Sequence, residues 1–180
     1  MALIFIGGVH GVGKSSVCAE VATELGLRVH SASAVIRAER GKLNPDQGKT
    51  VVDVDANQRL LVQGVRRHVA GSSGVQLLDG HFALRAATGN IECIGICVFE
   101  QIGIRHVVCF RDQPQSILER LALRDGYDGS LAAIADLQQA EIQHAKFVSR
   151  HLGVPVNILS AFDSGSLRGL LVRAIREHVT

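Results

Sequence analysis

The sequence predicts an α/β fold in which helices cover both faces of a parallel sheet. Apolar runs of strand length alternate with longer stretches of helical period, as expected when crossover helices join parallel strands. A glycine-rich loop follows the first of these runs directly. The chain has 180 residues, 47% of them hydrophobic, which is enough for one domain with its own core. We therefore expect a single domain over residues 1–180.

Five apolar segments are predicted to be strands that are buried on both faces of the sheet. They are Ala2 to Ile6, Leu27 to His30, Val75 to Leu78, Ile104 to Phe110 and Val154 to Leu159. Helices are predicted to begin near Gly13, at Pro114, and after Asp163 or Ser164, and one spans Leu131 to Leu152. The first helix should end at Gly26, because glycine readily adopts the conformation that caps a helix.

Composition argues against nucleic acid and membrane as partners. The formal net charge is +2, no basic block occurs, and aromatic residues make up only 4% of the chain. The apolar start of the chain lacks a basic flank and is interpreted as a buried strand. Residues 91–110, the richest apolar window, contain Glu92, Glu100 and Arg105, so no membrane span is predicted. These features predict a cytoplasmic protein.

The loop from Gly8 to Ser15 satisfies the pattern Gly-x4-Gly-Lys-Ser, the P-loop, between a predicted strand and a predicted helix. Its glycines allow the backbone N–H groups to surround phosphate oxygens, and the helix N-terminus adds partial positive charge. A glycine-rich turn of chance composition is the alternative. The predicted ATP-binding residues of this segment are Gly8, Gly11, Val12, Gly13, Lys14, Ser15 and Ser16.

Three side chains beside the phosphates are predicted to balance charge and to bind the metal. Lys14 should reach the β- and γ-phosphates, and the Ser15 hydroxyl should bind Mg²⁺. Asp79 ends an apolar strand, the position from which a second acidic group approaches Mg²⁺, although it could simply start a turn. His10 is interpreted as an exposed loop residue and His81 as a turn or core residue.

Arg120 and Arg124 are four residues apart on a predicted helix, just before a glycine-containing loop. They could close over a transferring phosphoryl group, with residues 124–130 as a short lid, or they could belong to a solvated helix face. Glu141 and His144 are interpreted as members of the charged outer face of their helix.

With these residues placed, the chain resembles adenylate kinases and related nucleoside monophosphate kinases, most closely the short-lid type described from archaea. The resemblance rests on Gly8 to Ser15, on Asp79-Gly80-His81, which is similar to that branch's Asp-x-His, and on the run from Pro114 to Asp125. It implies a three-layer P-loop NTPase fold with a five-stranded parallel sheet of order 2-3-1-4-5. It also implies that Arg37 and Arg85 bind the phosphate of the acceptor. Arg37 would lie in an acceptor-side helical segment at about 33–70.

The expected function is Mg-ATP-dependent transfer of a phosphoryl group to a small acceptor, in the first place a nucleoside monophosphate. Lys14, Arg120, Arg124 and Asp79 would be catalytic, and Ser15 and Asp79 would hold the metal. Ala32-Ser33 stands where many family members have Thr-Gly, which keeps open a kinase of a non-nucleotide metabolite. An ATP-binding switch or slow NTPase with a protein partner is a third alternative. The archaeal resemblance makes a homo-oligomer an open expectation.

Overall fold

The computed structural model describes residues 1–43, 54–69, 72–86, 88–126 and 128–179. The strands are β1 (Ala2–Gly7), β2 (Arg28–Ser31), β3 (Val75–Asp79), β4 (Ala83–Arg85), β5 (Ile91–Cys93), β6 (Ile104–Arg111) and β7 (Val156–Ser160). The helices are α1 (Lys14–Leu25), α2 (Ala32–Leu43), α3 (Val54–His68), α4 (Ile96–Ile102), α5 (Pro114–Asp125), α6 (Leu131–Leu152) and α7 (Ser164–Val179).

The central sheet has five parallel strands in the order β2-β3-β1-β6-β7. The predicted α/β class with a five-stranded parallel sheet is thereby confirmed. The observed order differs in its numbering from the predicted 2-3-1-4-5, because β4 and β5 precede the last two strands of the sheet. These two short strands pair with each other as a separate antiparallel hairpin. They were missed because three-residue strands are too short to show a period.

The core lies on both faces of β1, which explains why the first apolar run shows no alternation. All six residues of β1 are buried. Ile4 and Ile6 belong to the apolar cluster that includes residues of α1 and α7, whereas Leu3 and Phe5 belong to the cluster that includes residues of α3 and α4. Successive side chains of a strand point to opposite faces, so a strand between two helical layers must be apolar throughout.

The helix boundaries follow the predicted signals closely. Helix α1 starts after Gly13 and is capped by Gly26, α5 has Pro114 in its first turn, and the Ser130 hydroxyl caps α6 by accepting from the Ala133 N–H. Helix α4 was missed, since its seven residues span only two turns. No described helix could span a membrane by length and hydropathy.

Helices α2 and α3 occupy the predicted acceptor-side segment 33–70 and pack closely where α3 has a glycine. Most of the polar segment 41–52 between them lies outside the described residues. A Cβ on Gly64 would lie 2.3 Å from the Val35 Cγ1 atom and 3.0 Å from the Glu39 Cγ atom. Val35 is buried and β-branched, so it cannot rotate away cheaply. The absence of a side chain at Gly64 therefore sets the spacing of the two helices.

Replacing Gly64 with alanine should lower the free energy of unfolding by about 1–2 kcal/mol, because overpacking outweighs the gain in helix propensity. Gly41→Ala is the matched control, since Gly41 lies in α2 and a Cβ there meets nothing within 4 Å. The control should raise stability by about 0.5–1 kcal/mol. Urea unfolding of both variants measures the difference, and a shift of the same sign in both would contradict the packing explanation.

Candidate nucleotide-binding site

The loop between β1 and α1 has the backbone that the P-loop pattern predicts. Gly8, Gly11 and Gly13 have φ angles of 136°, 76° and 96°, values that residues with a Cβ rarely adopt. At two of them a side chain would also collide, since a Cβ on Gly8 would lie 2.8 Å from the Phe110 carbonyl oxygen and one on Gly11 2.7 Å from the Leu121 Cγ atom. The loop thus requires glycine for both conformation and space.

Lys14, Ser15 and Asp79 come together where β1 and β3 end. Strand β3 pairs with β1 in a register that sets Ile6 beside Asp79. The Ser15 hydroxyl donates to Asp79 Oδ2 at 2.7 Å, and Lys14 Nζ lies 3.5 Å from Asp79 Oδ1. Lys14 is only 6% exposed, so this carboxylate balances a nearly buried positive charge.

The hydroxyl and the carboxylate form a donor set that fits Mg²⁺. Both supply hard oxygen ligands, and Mg²⁺ is usually held by one or two such groups together with water and substrate phosphates. The described residues contain no group of three or more His, Cys, Asp or Glu side chains that could hold a metal ion alone. Ser15 and Asp79 would hold the ion only in part, and when bound it would neutralise phosphate charge.

The guanidinium of Arg120 lies over the ring of Phe162 beside the glycine loop. Arg120 Nε donates to the Gly11 carbonyl oxygen at 2.7 Å, and a terminal nitrogen of its guanidinium lies 2.5 Å from Asp112 Oδ2. The guanidinium carbon is 5.2 Å from the centre of the Phe162 ring, which is a cation–π distance. Phe162 is 56% exposed and packs against Gly13, where a Cβ would approach its ring to 3.0 Å.

An outer face of this pair can stack against a planar base, because aromatic and guanidinium faces do so favourably. Sequence reasoning identified Arg120 but missed Phe162 and Asp112. Phe162 follows a strand in a short loop and has a φ of 62°, and no spacing rule marks such a residue. Arg124 lies one turn beyond Arg120 and is exposed, and its charge influences His10. Ser16 is exposed in the first turn of α1.

A cavity of about 460 Å³ opens beside the glycine loop. Lys14, Ser15 and Asp79 line the end of the cavity near the loop. Its polar wall is formed by Ser31, Ser33, Arg37, Arg40, Asn57 and Gln58. The remaining lining is mainly apolar and includes Phe5 and Phe99. A small molecule bound here would touch the same groups as a phosphate on the loop.

The two arginines predicted to bind the acceptor have different positions. Arg37 lines the cavity. Arg85 lies in β4, is exposed, and is not among the described residues that line the cavity. Its guanidinium donates to the carbonyl oxygens of Gly89 and Ala133 at 2.6 and 2.9 Å. The structure therefore brings Arg37, but not Arg85, to the cavity, and the role of each remains a prediction.

His81, which lines the cavity, pairs with the buried Glu141. His81 Nδ1 lies 2.8 Å from Glu141 Oε1, and the Phe82 N–H donates to Glu141 Oε2 at 2.6 Å. Glu141 is fully buried, so its assignment to the outer face of α6 was wrong. The signal was present, because Ile134, Gln138, Glu141, Ala145 and Val148 repeat at helical spacing and are all buried.

His10 lies against His81, with their ring centres 4.4 Å apart. Loss of hydration, together with the charges of His81, Lys14 and Arg124, lowers the pKa of His10 to about 4. His10 also lines the cavity. Its ring is therefore uncharged at neutral pH.

The glycine loop, the Lys14–Asp79 pair and the order of the parallel strands together define a P-loop nucleotide-binding fold. The chain belongs to the AAA domain family, whose sequence profile matches residues 7–138. Comparison with curated protein sequences gives no significant match.

Solved structures support the same fold. A gluconokinase from Sinorhizobium meliloti 1021 is 15% identical with a TM-score of 0.57, covering 99% of this chain and 94% of its own. A shikimate kinase from Bacteroides thetaiotaomicron is 16% identical with a TM-score of 0.55, covering 99% and 98%. An uncharacterized protein from Eubacterium ventriosum ATCC 27560 is 10% identical with a TM-score of 0.53, covering 98% and 99%. At these identities the likeness shows the fold.

The lowered pKa of His10 predicts a loss of stability in mild acid. Because the folded-state pKa of about 4 lies below the ordinary value of 6.5, protons bind preferentially to the unfolded chain. This contribution to the free energy of unfolding is fully present above about pH 6.5 and decreases as the pH falls toward 4. In His10→Asn, stability should therefore fall less between pH 7 and pH 5 than in the wild type, as urea unfolding would measure. A His10 ring that titrates near pH 6.5 by NMR would contradict the prediction.

Substitution of Asp79 with asparagine should weaken nucleotide binding chiefly when Mg²⁺ is present. Asparagine keeps an oxygen for the Ser15 hydroxyl but removes the charge that attracts the metal. We expect the affinity for Mg-ATP to fall about 10–100-fold, with a smaller change for ATP in EDTA. Calorimetric titrations with both forms of ATP measure this, and Asp136→Asn, an exposed change on α6, is the control. An equal loss in both titrations would count against a metal-linked role.

Proposed function

We propose that this protein is a Mg-ATP-dependent phosphotransferase that acts on a small acceptor. The observation that carries the proposal is that one cavity is lined by Lys14, Ser15 and Asp79 from the phosphate site and also by Arg37 and other residues of α2 and α3. An acceptor in this cavity would lie beside the terminal phosphate of ATP on the loop. Phosphoryl transfer depends mainly on such positioning and on charge stabilisation.

Each predicted site residue has a role under this proposal. The glycine loop and Lys14 hold the phosphates, and Ser15 and Asp79 bind Mg²⁺, which neutralises charge on the transferring group. Arg120 and Phe162 support the base and adjoining phosphates of ATP. Arg124, the first residue of the proposed lid at 124–130, would neutralise charge as the lid closes.

A nucleoside monophosphate is the first candidate acceptor. Arg37 and Arg40 provide positive charge in the cavity wall for a phosphate, and the apolar lining around Phe5 and Phe99 suits a base. Arg85 would join as a second phosphate ligand only by exchanging its bonds to the Gly89 and Ala133 carbonyl oxygens. The family resemblance of Asp79-Gly80-His81 supports this candidate.

A non-nucleotide metabolite with hydroxyl groups is the second candidate. The polar wall contains Ser31, Ser33, Asn57 and Gln58, which can hydrogen-bond a hydroxylated molecule. His81, which pairs with the buried carboxylate of Glu141, also lines this cavity. The structural neighbours named gluconokinase and shikimate kinase share the fold on which such a site would be built.

Coupled ADP production from Mg-ATP should show turnover only when a suitable acceptor is present. The panel contains no acceptor, AMP, other nucleoside monophosphates, gluconate, shikimate and other metabolites. Lys14→Ala should lower kcat/KM by about 10²-fold or more, because it removes a preorganised charge from the transition state. Lys146→Ala, an exposed lysine on α6, is the control and should change little. Acceptor-independent hydrolysis alone would instead favour an NTPase or a nucleotide-bound switch.

A further inference from the structure

Asp112 lies just beyond the end of β6, where neighbouring strands no longer satisfy its peptide groups. The register of β6 with β7 ends at Arg111 and Ser160. Its register with β1 ends earlier, at Cys109. Among the residues that the structure describes, Asp112 therefore has no strand partner, and its N–H and C=O groups must be satisfied by another element.

The side chain of Gln138, on α6, takes the place of a neighbouring strand. Its Oε1 atom accepts from the Asp112 N–H at 2.9 Å, and its Nε2 atom donates to the Asp112 carbonyl oxygen at 2.8 Å. A carboxamide offers the same donor and acceptor as a peptide group, so one side chain satisfies both main-chain groups of Asp112. Gln138 is buried, and the two bonds also offset the cost of burying its amide.

With its backbone fixed in this way, Asp112 directs its carboxylate at Arg120. Asp112 Oδ1 accepts from the Gln113 N–H at 2.8 Å, and Oδ2 lies 2.5 Å from a terminal nitrogen of Arg120. Arg120 Nε also donates to the Gly11 carbonyl oxygen, and the guanidinium lies over the ring of Phe162. Contacts within the protein thus fix Arg120 beside the glycine loop. Arg120 is not among the described residues that line the acceptor cavity.

We propose that Asp112 and Gln138 are positioning residues for ATP, and that they hold Arg120 beside Phe162 as a support for the base. Arg120 then contributes to the binding of ATP and not to stabilisation of the transferring phosphoryl group. These roles rest on the ATP binding that the proposed function requires.

The expected effect follows from the conformational freedom of arginine. A long side chain has many rotamers, and a ligand that must order one loses part of its affinity. The contacts of Arg120 with Asp112 and Gly11 already restrict these rotamers. Loss of such a restraint should weaken the binding of ATP about 2–10-fold. Arg120 and Asp112 are both partly exposed, and ion pairs of this kind add little to stability, so their main effect should be on the ligand.

The test measures dissociation constants for Mg-ATP and for magnesium tripolyphosphate by calorimetry. Both ligands offer three phosphates to the glycine loop, but only ATP has a base. The ratio of the two constants, which defines the preference for ATP, cancels any change in charge or in folded fraction that affects both ligands alike. We expect this preference to fall about 2–10-fold in Gln138→Met and Asp112→Asn, and at least as far in Arg120→Met.

Two exposed residues of α6 provide matched controls. Gln139→Met makes the same substitution as Gln138→Met at the next position of the helix. Asp136→Asn makes the same substitution as Asp112→Asn at an exposed carboxylate. Both controls should keep the wild-type preference for ATP.

Variants that combine Arg120→Met with either substitution show whether the two residues act through Arg120. Once the arginine is absent, Gln138→Met and Asp112→Asn should cause no further loss of preference, because the side chain that they position is gone. A further loss of the same size in the double variants would overturn the proposed positioning roles. If Gln138→Met does not fold, Asp112→Asn still decides, since it leaves the main-chain bonds to Gln138 intact.

The outcomes also separate these roles from the phosphotransferase function. An unchanged preference for ATP in folded Gln138→Met or in Asp112→Asn would overturn the positioning roles, whether or not the wild type transfers phosphate. The expected loss of preference, in a protein that phosphorylates no acceptor, would count against the phosphotransferase function alone. A wild type that does not bind ATP would overturn both.

Discussion

The site depends on one buried ion pair. Lys14 is almost completely buried, and an unpaired ammonium there would be strongly unfavourable. Asp79 supplies its counter-charge and also holds the Ser15 hydroxyl. This arrangement is available only because β3 lies directly beside β1, with Ile6 in register with Asp79. The order of strands in the sheet is therefore part of the chemistry, since it brings together groups 64 residues apart in the chain.

Two sets of elements surround this pair. On one side, α5 and the segment after β7 provide Arg120 and Phe162 next to the loop. On the other side, α2, α3 and α4 enclose the cavity. Residues of both sets lie near the carboxyl ends of the parallel strands, where β2 ends at Ser31, β3 at Asp79 and β7 at Ser160. Open parallel sheets generally place their ligands in such a crevice.

The parts of the site that could be predicted are those specified by local sequence. The P-loop is contiguous, and Asp79 follows a strongly apolar run, so both could be located from the sequence, while their roles remain predictions. Phe162 and Glu141 were missed because their partners are distant in the chain: His81 and Glu141 are 60 residues apart. A lone glutamate on a helix is usually solvated, and only its place on the buried stripe of α6 indicates otherwise. The β4–β5 hairpin and α4 were not predicted, because these elements are too short to show a periodic pattern of hydrophobic residues.

Helix α6 connects the two sides of the site through consecutive buried turns. Gln138 exchanges two hydrogen bonds with the backbone of Asp112, at 2.9 and 2.8 Å, and Asp112 in turn pairs with Arg120. Glu141, three residues later, holds His81. Adding or deleting one residue between Gln138 and Glu141 would rotate one of these side chains relative to the other by about 100°, so that the helix could not keep both contacts. The three-residue spacing of Gln138 and Glu141 therefore couples the side chain that holds Asp112 to the one that holds His81.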